Sequence, residues 1–151
     1  MTTVFEGTVT STAIRRDALR AARRSLDDAI VAPAIDNHTW ATNLLAELRK
    51  LSRAFAKHVR ESEGDDGSLP EVLALKPHLQ HRVGMVMDDH SLILRHIEDV
   101  VSMTEQQLSS RSVWVESIRL NAGGLADEIR LHQAKGTDLV YEAFNRVDGF
   151  G

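Results

Sequence analysis

An all-α, up-and-down four-helix bundle is the fold this sequence predicts, and three observations predict it. Four long stretches carry apolar residues at intervals of three and four, the repeat of one face of a helix. The breaks between them are short, and short connections force neighbouring helices to run antiparallel. No segment alternates with the two-residue period of a half-buried strand, apart from an extended start at Val4 and Phe5. With 42% apolar residues in 151, the chain has material for one core, and residues 1–151 are read as a single domain.

The first helix is expected from about Thr10 to Val31, where Ile14, Ala18, Leu19, Ala22, Leu26, Ala29 and Ile30 share a face until Pro33 stops the run. Its Arg15, Arg16, Arg20, Arg23 and Arg24 are followed at once by Asp27 and Asp28, which makes a solvated mixed-charge face. Asp36 or Asn37 can cap a second helix from about Asn37 to Ser62, carrying Trp40, Leu44, Leu45, Leu48, Leu51, Phe55 and Val59. The GDDG run from Gly64 to Gly67 breaks it and is read as a mobile loop. Ser68 to Glu71 combine a cap with an early proline and open a short helical turn that Pro77 interrupts. A third long helix is expected over about His78 to Leu108, then a turn at Ser109 and Ser110. The fourth starts near Ser112 and ends at the DGFG tail, weakened by Gly123, Gly124 and Gly136 at about 1 kcal/mol each relative to alanine.

Composition removes several function classes. The net charge of −4 and a pI near 5.9, with acidic and basic residues interleaved, argue against a nucleic-acid surface. Cysteine is absent, so any metal must be held by nitrogen and oxygen ligands. The amino terminus has neither a basic leader nor an apolar segment, and no stretch approaches the roughly 20 apolar residues of a membrane span, so a cytoplasmic protein is expected, without a membrane partner. There is no phosphate loop, no GxSxG nucleophile turn and no HExxH helix, and the sequence names neither a substrate nor a general base.

What stands out is a set of histidines, His58, His90 and His132, one in each of the last three long helices. At about 1.5 Å of rise per residue, folding the chain back at its turns compares their heights. His90 lies 19 residues before Ser109 and His132 lies 20 after Ser112, which puts them at one level. The segment from Gly64 to Pro77 blurs the height of His58, and a shared layer is permitted. Across the first turn the same arithmetic brings only Thr12, Arg16 or Asp17 to that layer. A histidine in a helix is ordinarily a hydrogen-bonded polar residue; three on the inner faces of three helices suggest a metal site, because bundles build such sites from inward-facing side chains.

Glu61, Glu63 and Glu128 stand within five residues of the trio along their helices. Glu61, three residues after His58, points close to its face and, with water as the alternative, is the carboxylate that can complete the ligand set, whereas Glu63 at five points away; for Glu61 and Glu128 alike, exposure to solvent is the commoner reading. Glu128, four before His132, shares its face. One turn after His58 and His132 stand Ser62 and Gly136, neither of which can bridge two cations. His38 is too far along the second helix to join, His78 and His81 are expected at the surface, and His96 is on another face from His90.

The segments AFAKHVRESEGDDG, DDHSLILRHIEDV and LHQAKGTDLVYEAFNRVDGFG resemble the hemerythrin-like, HHE cation-binding domains over about Ile14 to the end. The resemblance implies a four-helix bundle holding non-haem iron through a histidine in each helix and an acidic residue four positions after the second-helix and fourth-helix histidines. Carried over, His58, His90 and His132 match; the acidic positions fall on Ser62 and Gly136, and the first-helix histidine falls near Arg16. The expectation is therefore a metal-binding hemerythrin-like domain with metal ligands His58, His90, His132 and Glu61. Its metal is iron, with zinc as the alternative, and its role is oxygen, redox or iron sensing with dioxygen or another small diatomic as ligand. The alternative is a metal-free bundle serving as an interaction or regulatory module, or a bundle whose internal space takes a different ligand.

Overall fold

Residues 18–144 are described by the structure, a computed structural model in which the described residues form helices and turns and no strand. Helix α1 covers residues 18–31, α2 Asn37–Glu63, α3 Ser68–Leu75, α4 Gln80–Ser110 and α5 Val115–Phe144, with a 3-10 turn at Pro77–Leu79 leading into α4. The expected helix start at Thr10, the extended Val4 and Phe5, the candidate residues Thr12, Arg16 and Asp17, and the DGFG tail lie outside the described residues. Four helices are long and α3 is short, an all-α arrangement as expected. No helix among the described residues is long and apolar enough to cross a membrane.

Each helix end has a local cause. Asp36 caps α2, its carboxylate accepting from the Thr39 backbone N–H at 3.1 Å, a contact of the kind worth about 1 kcal/mol. Between α2 and α3 the chain turns back so closely that a Cβ on Gly67 would stand 2.5 Å from the carbonyl oxygens of Glu61 and Ser62. Lys76, at φ −136° and ψ 78°, is held out of the helical region by the proline that follows it. The 3-10 turn at Pro77–Leu79 then takes up the expected start, and the third long helix begins at Gln80, not at His78. It also runs past the serines expected to end it: Arg111, at φ 61°, is the left-handed residue that stops α4. The Trp114 N–H then donates to the Gln107 side chain at 2.8 Å, delaying α5 to Val115 instead of Ser112. Helix α5 stays continuous through Gly123, Gly124 and Gly136.

Helix α1 is tied to the bundle at both ends of its described length. Leu19 and Leu26 are buried in the core. Arg119 of α5 donates to the carbonyls of Ile30 at 3.0 Å and Ala32 at 2.9 Å, supplying partners that a helix C-terminus lacks, while its guanidinium lies 5.2 Å from the Trp40 ring. Arg23 pairs with Asp27 at 3.4 Å, part of the mixed-charge face expected there.

Two apolar clusters fill the interior. The larger joins Leu19 and Leu26 to Leu44, Leu48, Phe55, Ile93, Ile97, Leu125 and Ile129. The smaller joins Leu69 and Val72 of α3 to Val83, Val86, Leu139 and Ala143. On α4, His90 comes between Val86 of the smaller cluster and Ile93 of the larger; on α5, His132 comes between Ile129 and Leu139. The histidines occupy the seam.

Candidate metal centre

His58 of α2, His90 of α4 and His132 of α5 meet in one layer. Their ring centroids are 5.3 Å (His58 to His90), 5.5 Å (His58 to His132) and 4.8 Å (His90 to His132) apart. One nitrogen from each ring lies within 4.8 Å of the other two. Phe55, one turn before His58, forms the floor, with its ring 5.5, 5.9 and 5.7 Å from the three imidazoles. The layer expected from helix heights is therefore present, and the uncertain member, His58, belongs to it.

Carboxylates set the orientation of two of the rings. Asp89 Oδ2 lies 3.4 Å from His132 Nδ1 and also 3.5 Å from the Lys135 ammonium. Glu63 is bonded to His90 Nδ1. An ionised carboxylate only accepts, so each of these Nδ1 atoms carries a proton, and on His132, which burial holds neutral, Nε2 keeps its lone pair. His132 Nε2 faces His58 Nε2 at 3.4 Å. His90 Nε2 is buried without a hydrogen-bond partner, on a ring that is 1% exposed. A buried polar nitrogen without a hydrogen-bond partner is costly unless something fills that role.

Burial dominates the protonation of the layer. It pushes His58 down from 6.5 to about 3, helped by the charges that His90 and His132 would carry. His132 falls to about 4 for the same reason, with the His90 charge adding to the fall and Asp89 opposing it. Both are neutral imidazoles at physiological pH, the form that ligates a metal.

The donor set could hold one cation. Two ligands about 2.1 Å from a tetrahedral ion stand about 3.4 Å apart, the separation of the His58 and His132 Nε2 atoms; one nitrogen of each ring lies within 4.8 Å of the other two, so the His90 ring must draw in toward the other two for all three to ligate one ion. Glu63 and Asp89 would offset the charge of a divalent ion from the outer side of the rings while holding them in the ligating tautomer. A bridged pair of cations would need carboxylates between the ions, and the positions one turn after His58 and His132 are Ser62 and Gly136.

The carboxylates around the trio depart from the sequence reading. Glu63 does not point away from the site: its offset from His58 aims it off the His58 face, but α4 packs on that side and His90 receives it. Glu128 is bonded to His96 Nδ1 at 2.8 Å on the α4–α5 surface. Glu61 lines the cavity described below and pairs with Lys57 at 3.9 Å. Asp89 was missed; it directly precedes His90, and its role requires knowing that the α4–α5 seam runs beside it. His38 is exposed on the first turn of α2, and His78 and His81 are exposed near the start of α4.

A cavity of about 60 Å³ opens beside the trio. His58, His90 and His132 form one wall, Leu69, Val86 and Val140 another, and Ser62, Gly136 and Gln133 are among the remaining lining residues. No protein-family model matches the chain, and neither does a curated protein or a solved structure.

Proposed function

We propose that this bundle is a hemerythrin-like domain that binds a single divalent metal ion through His58, His90 and His132. In this reading the ion is non-haem iron and the domain serves oxygen, redox or iron sensing. The observation that supports it most directly is the buried, unpartnered Nε2 of His90 beside two imidazoles whose Nε2 atoms are 3.4 Å apart. A metal-free core would gain by replacing these three polar rings with apolar ones, since burying such groups costs free energy unless they are satisfied. Zinc shares the preference for imidazole nitrogen, so the donor set alone does not choose between the two ions. A bound ion would supply Lewis acidity and an open coordination position on the cavity side. The chain's own contribution is to bring three rings together, hold the Nδ1 protons of His90 and His132 toward Glu63 and Asp89, and exclude bulk water with Phe55 and Val86.

Metal content after anaerobic loading with ferrous iron, and separately with zinc, tests this. About one equivalent per chain is expected for the native protein. His132→Ala should abolish binding, while His38→Ala, on the exposed first turn of α2, should leave it unchanged. Native protein without bound metal would instead favour a metal-free bundle acting as an interaction module, and equal losses in the two variants would contradict the placement of the ion at the trio.

A further inference from the structure

The cavity beside the trio has a chemistry of its own. Its existence depends on two small side chains: Ser62 and Gly136 stand one helical turn beyond His58 and His132, where longer side chains would close the space. A Cβ placed on Gly136 meets no atom within 4 Å. At roughly 15 Å³ for each water-sized group, a volume of about 60 Å³ accommodates about four such groups. Something larger than a water and smaller than a drug-sized molecule fits.

The walls state what kind of molecule. His58, His90 and His132 line the inner side, and the buried His90 Nε2 has no hydrogen-bond partner. Gln133 contributes a polar edge, and Arg23 Nε donates to its Oε1 at 3.1 Å, which assigns the other end of the carboxamide as the NH2 donor. Ser68 and Thr137 add hydroxyls. The opposite wall is apolar, formed by Leu69, Val86 and Val140. One end is thus suited to an oxygen donor that a cation and an N–H can share, and the other to one or two carbons.

We propose that the cavity binds a short-chain monocarboxylate of the size of acetate or propionate, its carboxylate toward the histidines and Gln133 and its alkyl end against Leu69, Val86 and Val140. This rests on the metal reading above, because the attraction for an anion comes from the cation that the three rings would hold. Glu61 also lines the cavity and is paired with Lys57 at 3.9 Å, which moderates its repulsion of an incoming anion.

The test uses the full chain loaded with cobalt(II), whose visible spectrum reports changes around the ion, titrated with acetate, propionate, pivalate and the neutral propionamide. Acetate and propionate should change the spectrum saturably, with affinities of about 1 mM or tighter, as suits ligands of so few atoms. Pivalate, too broad for the space, and propionamide, lacking the charge, should bind at least about tenfold more weakly. Gly136→Val fills the cavity without meeting a neighbour at its Cβ, and Gln133→Glu keeps an acceptor for Arg23 while removing the NH2 donor. Both variants should retain cobalt and lose carboxylate binding by about tenfold or more. Metal-loaded protein whose spectrum is unmoved by acetate and propionate overturns the carboxylate site and leaves the metal reading standing. Pivalate binding as well as acetate, or Gly136→Val binding acetate like the native chain, also overturns it. Failure to bind any metal removes both readings together.

Discussion

His58 and His132 show how a residue's surroundings become a property of the folded state. In water each would protonate near 6.5, but burial among other imidazoles lowers them to about 3 and about 4. The sign of the consequence follows from proton counting. Below pH 6.5 the unfolded chain binds protons at both positions while the native, metal-free chain does not, so stability rises with pH across the window from about 4 to 6.5 and is lost as the solution is acidified through it. Each histidine contributes a slope approaching about 1.4 kcal/mol per pH unit inside that window. Urea denaturation of the metal-free protein at pH 7.5 and pH 5.5 should therefore show a fall on the order of 2 kcal/mol, and His58→Phe should flatten the dependence. Equal midpoints at the two pH values would contradict the buried neutral layer. At this scale much of the site was legible in the sequence: the three histidines were found from periodicity and height. Their carboxylate partners were not, because Glu63 and Asp89 reach rings on neighbouring helices, and spacing along one helix carries no information about which helix lies across a seam.

At the scale of elements, the connection between α2 and α3 does more than reverse the chain. The turn from Gly64 to Gly67 ends α2 directly after Ser62 and Glu63, then delivers Leu69 over the cavity. Gly67 is required by close approach, since a Cβ there would lie 2.5 Å from two backbone oxygens that cannot yield without moving the end of α2. Gly67→Ala is expected to cost about 2 kcal/mol or more, within the range of mutations that force a backbone to shift. For a chain of this length that is a fall of roughly 4–8 °C in Tm. The same substitution should weaken metal binding, because Glu63 loses its place beside His90. An alanine variant with native Tm and native metal affinity would show that the turn is not needed in this form. The sequence located this break and its glycines, yet read it as a mobile loop, because composition reveals turn-forming residues without revealing what the turn packs against. Elsewhere the helices themselves were legible from their apolar faces. The ends were less so: Ser109 and Ser110 resemble a turn in composition, but the left-handed Arg111 ends α4, a conformation that no residue preference announces for arginine.

Taken as a whole molecule, the bundle has its apolar interior divided at the histidine layer, with Leu48, Phe55 and Ile93 on one side and Val72, Val86 and Leu139 on the other. Three helices meet at that seam, so an ion held there would join α2, α4 and α5 at the point where apolar packing is interrupted. Such a ligand is bound by the folded chain and not by the unfolded one, and it stabilises by mass action: at a free metal concentration a hundredfold above Kd the gain is about 2.7 kcal/mol. For 151 residues that corresponds to a rise in Tm of roughly 5–10 °C. The rise should grow with metal concentration, disappear on chelation and be absent in His90→Leu, whose apolar side chain can fill the seam without coordinating. Native protein whose Tm does not respond to iron or zinc would remove the thermodynamic link between the seam and the metal. A rise of equal size in His90→Leu would locate the binding elsewhere, with the exposed His78 and His81 as the first place to look.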